Sequence, residues 1–167
     1  MMTTICEMTM RDSRPTPLPK GRRSKSDFQV ERRTPRILLA EDDLEMRQLL
    51  AGVLRSLGYE VTAAVSGMDA LKHIGPSVYS GAEFEFDLII SDIRMPGIDG
   101  LELLAGLHLC EGAPPVILIT AFGDFQTHHD AERLGAVVLL DKPFDIDEFC
   151  AVLRRVLPPP GETRKES

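Results

Sequence analysis

Four short aliphatic runs, each ending abruptly in a polar group, constrain this chain more than any other feature. Ile37-Leu38-Leu39-Ala40 runs into Glu41-Asp42-Asp43, and Leu88-Ile89-Ile90 into Ser91-Asp92. Val116-Ile117-Leu118-Ile119 runs into Thr120-Ala121, and Val137-Val138-Leu139-Leu140 into Asp141-Lys142-Pro143. Runs this short and apolar read as strands buried on both faces, the pattern of a parallel sheet covered by helices. A fifth, weaker strand is the alternating stretch Tyr59 to Val65. Helical stripes fall between them. Leu49, Leu50, Val53, Leu54 and Leu57 form one, closed by Gly58; Ser66 caps a second through Ile74, ended by Gly75-Pro76. Pro76 to Glu85 reads as a polar connection. Further helices are expected from about Leu101 to Leu109, from Phe125 to Leu134 and from Ile146 to Leu157. The alternation predicts an α/β fold, a doubly wound (βα)5 domain.

In such a sheet the carboxyl ends of the strands share one rim, where open α/β folds bind ligands. The pattern therefore gathers the acids Glu41, Asp42 and Asp92, the Thr120 hydroxyl and the Lys142 ammonium at one edge, the composition of a phosphoryl and divalent-metal site. Carboxylates brought together there repel by about 4 kcal/mol per pair at about 4 Å and an effective dielectric of about 20. A hard cation removes that cost, and Mg2+ prefers oxygen ligands. Asp43 reads instead as an acid favouring a helix N-terminus.

Two unlike parts make up the net charge of −7. Residues 1–36 hold nine Lys/Arg against four Asp/Glu, whereas residues 37–167 hold ten against twenty-two. The first part also carries Pro15, Pro17, Pro19 and Pro35 with few large apolar residues, so residues 1–34 are expected to be a disordered basic arm. The folded domain is expected over 35–157, and the stretch from Pro158 to Ser167 as a disordered tail. Cys6, Cys110 and Cys150 are unpatterned, which argues for reduced thiols in the cytoplasm and against a disulfide framework or zinc site. No apolar run approaches the ~20 residues of a membrane span. His128 and His129 are adjacent, so on a helix they diverge by about 100° and cannot chelate one metal.

Glu41-Asp42-Asp43 after the first strand, Asp92-Ile93-Arg94-Met95-Pro96-Gly97-Ile98-Asp99-Gly100, Thr120-Ala121 and Lys142-Pro143-Phe144 stand in order at successive strand ends. Together they resemble the receiver domain of two-component response regulators, over about Pro35 to Leu157. The resemblance implies a flavodoxin-like sheet of order 2-1-3-4-5, with Asp92 accepting a phosphoryl group and Lys142 and Thr120 assisting. It implies Mg2+ held by Asp42 and Asp92, by Glu41 through water and by the backbone carbonyl of Arg94, and a cis Lys142-Pro143 bond. It further implies a sensor histidine kinase or histidine phosphotransfer protein as donor, an unidentified downstream protein as target, and a monomer or phosphorylation-dependent dimer.

One departure stands out. The family usually has an aromatic three residues before the lysine, where this chain has Leu139, so an aromatic rotamer switch is not expected. Arg94 and Phe122, two residues beyond Asp92 and Thr120, are expected either to flank the path of water to the phosphorus or to pack against a helix or loop. No segment after Leu157 is long enough for a DNA-binding or catalytic domain, so output by protein contact or phosphorelay is expected, without turnover of an external substrate. The rival reading is a Mg2+-dependent aspartyl-phosphate phosphatase or phosphotransferase of the haloacid-dehalogenase kind. Such enzymes place a second Asp two residues after the nucleophile, and here that residue is Arg94. The acidic domain and the lack of a helix-turn-helix argue against a nucleic-acid partner.

Overall fold

The computed structural model describes residues 33–160; most of the expected arm, and the tail beyond Pro160, lie outside the described residues. Within them, five strands and five helices alternate strictly. In chain order these are β1 Arg36–Ala40, α1 Leu44–Ser56, β2 Glu60–Ala64, α2 Gly67–Ser80 and β3 Leu88–Asp92, then α3 Gly100–His108, β4 Val116–Thr120, α4 Phe125–Arg133, β5 Val138–Asp141 and α5 Ile146–Val156. All pairings are parallel, and the sheet order is β2-β1-β3-β4-β5, as expected.

Alternation along the strands divides the core into two. Leu38, Ile89 and Leu118 point to one face, packing with Ile74, Leu104 and Leu107 of α2 and α3. Ile37, Leu39, Leu88, Ile90, Ile117 and Ile119 point to the other, against Leu50 and Leu54 of α1 and Phe149 and Leu153 of α5. Full burial of each such side chain stabilises by about 1.5–3 kcal/mol. Helix α4 is the exception, because only Ala131 of its nine residues is buried.

Helix α2 does not stop at Ile74. It continues through Pro76 to Ser80, where Gly81 caps it in the left-handed conformation at φ 67°. Pro76 and Lys72, whose carbonyl the proline cannot serve, are both exposed. The last turn is held by tertiary contacts: Val78 packs on the core, and the buried Ser77 hydroxyl donates to the Glu83 carbonyl at 3.0 Å. Other boundaries differ by a residue or two, the usual fraying.

Arg33 and Thr34, the last two residues of the expected arm, lie within the described residues. Arg33 donates to Asp87 at 2.7 Å, and that carboxylate also accepts from the Arg36 backbone N–H. At the far end Pro158 and Pro159 are partly buried, and Pro160 lies beside Gly58. No helix among the described residues is long and apolar enough to cross a membrane.

Candidate functional site

Parallel register brings the strand ends to one level. Ala40 lies opposite Ser91, Asp92 opposite Ile119, and Thr120 opposite Asp141. The residues that follow each strand therefore meet at the carboxyl rim. Glu41 and Asp92 are almost wholly buried, Thr120 is fully buried, and Asp42 is exposed.

Helix starts fix the rim. Asp43 caps α1 by accepting from the Met46 N–H at 2.7 Å, the structural role its position suggested. Asp99 and Glu102 form a reciprocal capping box at the start of α3. Gly100 abuts the end of β3 so closely that a Cβ there would lie 2.4 Å from the Asp92 carbonyl oxygen. A Cβ on Gly67 would lie 1.9 Å from the Ile98 carbonyl oxygen, so α2 and the loop after Asp92 are pressed together as well.

Lys142 joins the two buried acids. Its ammonium donates to Glu41 Oε2 at 2.9 Å and to Asp92 Oδ2 at 2.7 Å. The Lys142 backbone N–H donates to the Thr120 carbonyl at 2.6 Å, and the Lys142-Pro143 bond is cis. The Asp92 Oδ1 atom accepts from the Arg94 backbone N–H at 3.0 Å, and Glu41 Oε1 accepts from the Asp43 N–H at 3.2 Å. Burial first, and the charge of Asp92 after it, hold the Glu41 carboxyl above its ordinary pKa against the lowering by Lys142. Burial pushes the Lys142 ammonium down, but its hydrogen bonds to Asp92 and Glu41 outweigh this and leave its pKa raised. The two shifts are compatible: one cation gains two acids, whereas each acid shares one cation.

One carboxylate oxygen from each of Glu41, Asp42 and Asp92 lies within 4.8 Å of the others. That all-oxygen set of negative donors fits a hard divalent cation. Above it opens a cavity of about 590 Å³, lined among others by Asp42, Arg94, Thr120 and Phe122. The Arg94 guanidinium sits 4.9 Å from the centroid of the Phe122 ring, forming a cation–π pair at the mouth. For Arg94, the backbone contact made to Asp92 runs through the N–H.

Three features escaped the sequence. Arg47 donates to the carbonyls of Glu41 and Asp42 at 2.7 and 3.0 Å, pinning the acidic turn. His128 contacts Asp141, and His129 stacks on Phe125 at 6.4 Å. The His128–Asp141 contact depends on how α4 docks beside β5, for which no local sequence signal exists, whereas Phe125 and His129 are four apart on one helix and Arg47 reaches back only five and six residues. The two histidines do part, as their spacing required.

A doubly wound α/β domain with an acidic cluster and a lysine at its carboxyl rim defines a flavodoxin-like class of receiver modules. The chain belongs to that family: the model of the response regulator receiver domain matches residues 37–154. It is similar to the transcriptional regulatory protein ZraR of Salmonella typhimurium, at 35% identity over 130 residues. That match covers 78% of this chain but 28% of ZraR, so the chain spans little more than a quarter of that relative. It is 32% identical to sporulation initiation phosphotransferase F of Bacillus subtilis, covering 74% of this chain and 94% of that one. Among solved structures, response regulator TrrA from Thermotoga maritima in complex with Mg2+-BeF superposes with a TM-score of 0.62 at 32% identity, covering 74% of this chain and all of that one.

Proposed function

We propose that this domain accepts a phosphoryl group on Asp92 from a histidine kinase or a histidine phosphotransfer protein and signals through protein contact or onward relay. The observation that carries the reading is the Lys142 ammonium bonded to both Asp92 and Glu41 beside the three-carboxylate cluster. An Asp92 carboxylate oxygen attacks phosphorus, and the P–N bond of the phosphohistidine breaks. The electron pair of that bond returns to the ring nitrogen, and the imidazole, protonated at its other nitrogen, leaves neutral. Lys142 is placed to neutralise charge on the transferring oxygens, and Thr120 to donate its hydroxyl to one of them. A Mg2+ ion held by Asp42 and Asp92, by Glu41 through water and by the Arg94 carbonyl would supply further charge neutralisation there.

The Mg2+-BeF complex of TrrA and the near-complete match to a phosphotransferase named for sporulation initiation support the reading. Arg94, where a haloacid-dehalogenase-type phosphatase needs an acid, supports a phosphoacceptor over an enzyme that turns over an external substrate. A cytoplasmic location, a monomer or phosphorylation-dependent dimer, and an N-terminal basic arm with no part in the chemistry belong to the same proposal. Incubation with acetyl phosphate and Mg2+ tests it by intact mass. One phosphoryl adduct is expected on the wild type and none on Asp92→Asn; an equal adduct on the mutant overturns the assignment.

A further inference from the structure

Asp141 ends β5 one residue before Lys142 and lies opposite Thr120 in the register. Its carboxylate leaves the sheet and crosses to the start of α4. There, His128 Nε2 stands 3.1 Å from Oδ2 and 3.3 Å from Oδ1. The backbone of Gly123 runs directly beneath the bridge. A Cβ on Gly123 would lie 1.7 Å from Asp141 Oδ1 and 2.7 Å from His128 Nε2, so the bridge closes only over a residue without a side chain.

Residues 121–124 form the loop from β4 to α4. Within it the Phe122 N–H donates to Thr120 Oγ1 at 3.1 Å, and the Phe122 ring carries the Arg94 guanidinium. The loop is thus gripped on one side by Arg94 and on the other by the Asp141–His128 bridge. Little else holds the helix that follows, since Ala131 is its single buried residue. Leu139, partly buried against the core on the same strand, offers no ring to relay a movement of Thr120.

We propose that the Asp141–His128 bridge over Gly123 is a latch that sets the β4–α4 loop and couples the rim site to the position of α4. The latch rests on the reading that Asp92 takes the phosphoryl group and Thr120 reaches it. Drawing Thr120 and Ala121 towards a phosphoryl oxygen drags Phe122 and Gly123 with them, and the Asp141 carboxylate above Gly123 has to give way. Closing the loop and opening the latch are then one event, and each biases the other reciprocally. Asp141 and His128 act here as positioning residues. Their side chains are 52% and 44% exposed, so the bridge shifts this balance by a small factor, which a protein partner on α4 could match.

Titration of the full chain with beryllofluoride and Mg2+, followed by 19F NMR, tests the latch in Gly123→Ala, Asp141→Ala and His128→Gln. Gly123→Ala is the sharpest of the three, because it displaces the carboxylate while keeping both partners. Each variant is expected to bind beryllofluoride roughly two- to fivefold more tightly, the range a half-exposed side-chain hydrogen bond can carry. Gly123→Ala combined with His128→Gln should gain nothing further. In the wild type, the His128 imidazole resonances should shift on binding, which a merely structural bridge would not do. Unchanged or weaker binding in Gly123→Ala, with the wild type binding and Asp92→Asn not, overturns the latch alone. Absence of binding to the wild type overturns the phosphoacceptor reading, and the latch with it.

Discussion

The Lys142 ammonium lies 2.7 Å from the Asp92 carboxylate although fifty residues separate them, and the same nitrogen reaches Glu41 at 2.9 Å. A single cation thus compensates two acids that are almost wholly buried, in a site where Asp42 adds a third. The arrangement holds the acids together without a metal and leaves a surplus of negative charge for one.

Removing that cation should be costly. Lys142→Met leaves Glu41 and Asp92 buried without their shared partner, and stripping one side from a buried ion pair costs about 3–5 kcal/mol. Urea unfolding in EDTA should register a loss of that order, and millimolar Mg2+ should restore part of it by binding only the folded state. Full stability of the mutant in EDTA would mean that the ammonium does not compensate the acids.

The raised pKa of Glu41 gives a pH dependence with a definite sign. A carboxyl whose pKa rises on folding favours the folded state only after taking up its proton, so its ionised form costs stability at neutral pH. The cost fades as pH falls through the raised value towards 4.5. Glu41→Gln should therefore be more stable than the wild type at neutral pH without metal, and the difference should close in acid. Melting curves across that range check it; a mutant less stable at neutral pH contradicts it.

The Arg94–Phe122 stack roofs the mouth of the cavity, so it should slow the approach of water to a phosphoryl group on Asp92. Arg94→Ala and Phe122→Ala should each shorten the life of that group roughly two- to fivefold, in keeping with a cation–π pair at an exposed site. The double mutant should lose little more than either single one. Decay of the adduct after removal of the phosphodonor measures this, and simple additivity would show that the two side chains act separately.

Helical glycines of the same chain should diverge. Gly106→Ala meets nothing within 4 Å, and should stabilise α3 by about 0.5–1 kcal/mol. Gly100→Ala drives a methyl into the Asp92 carbonyl and Ile93 Cα, backbone atoms that cannot step aside, and should cost about 1–3 kcal/mol. Thermal unfolding of both variants decides it. Equal behaviour would mean that α3 shifts freely against β3.

The strand ends were legible because each is an aliphatic run stopped by a polar residue, and parallel pairing then leaves the rim as the place where Glu41, Asp92, Thr120 and Lys142 meet. The turn of α2 beyond Pro76 was not legible. Local preference favours a break there, while Val78 and Ser77 hold the helix through contacts visible only after folding. Arg33 was counted with the basic arm by composition, yet its partner Asp87 stands before a strand far along the chain. The Asp141–His128 bridge was hidden for a related reason, since it needs Gly123 at one exact depth beneath it.

Where the phosphoryl group resides can be read chemically. Treating the acetyl phosphate-modified protein with borohydride reduces an aspartyl phosphate to homoserine, and peptide sequencing by mass spectrometry then locates the change. The account requires homoserine at residue 92 and at no other acidic position. Conversion at residue 42, a reduced Glu41, or unchanged Asp92 in a protein that carries the adduct would contradict it.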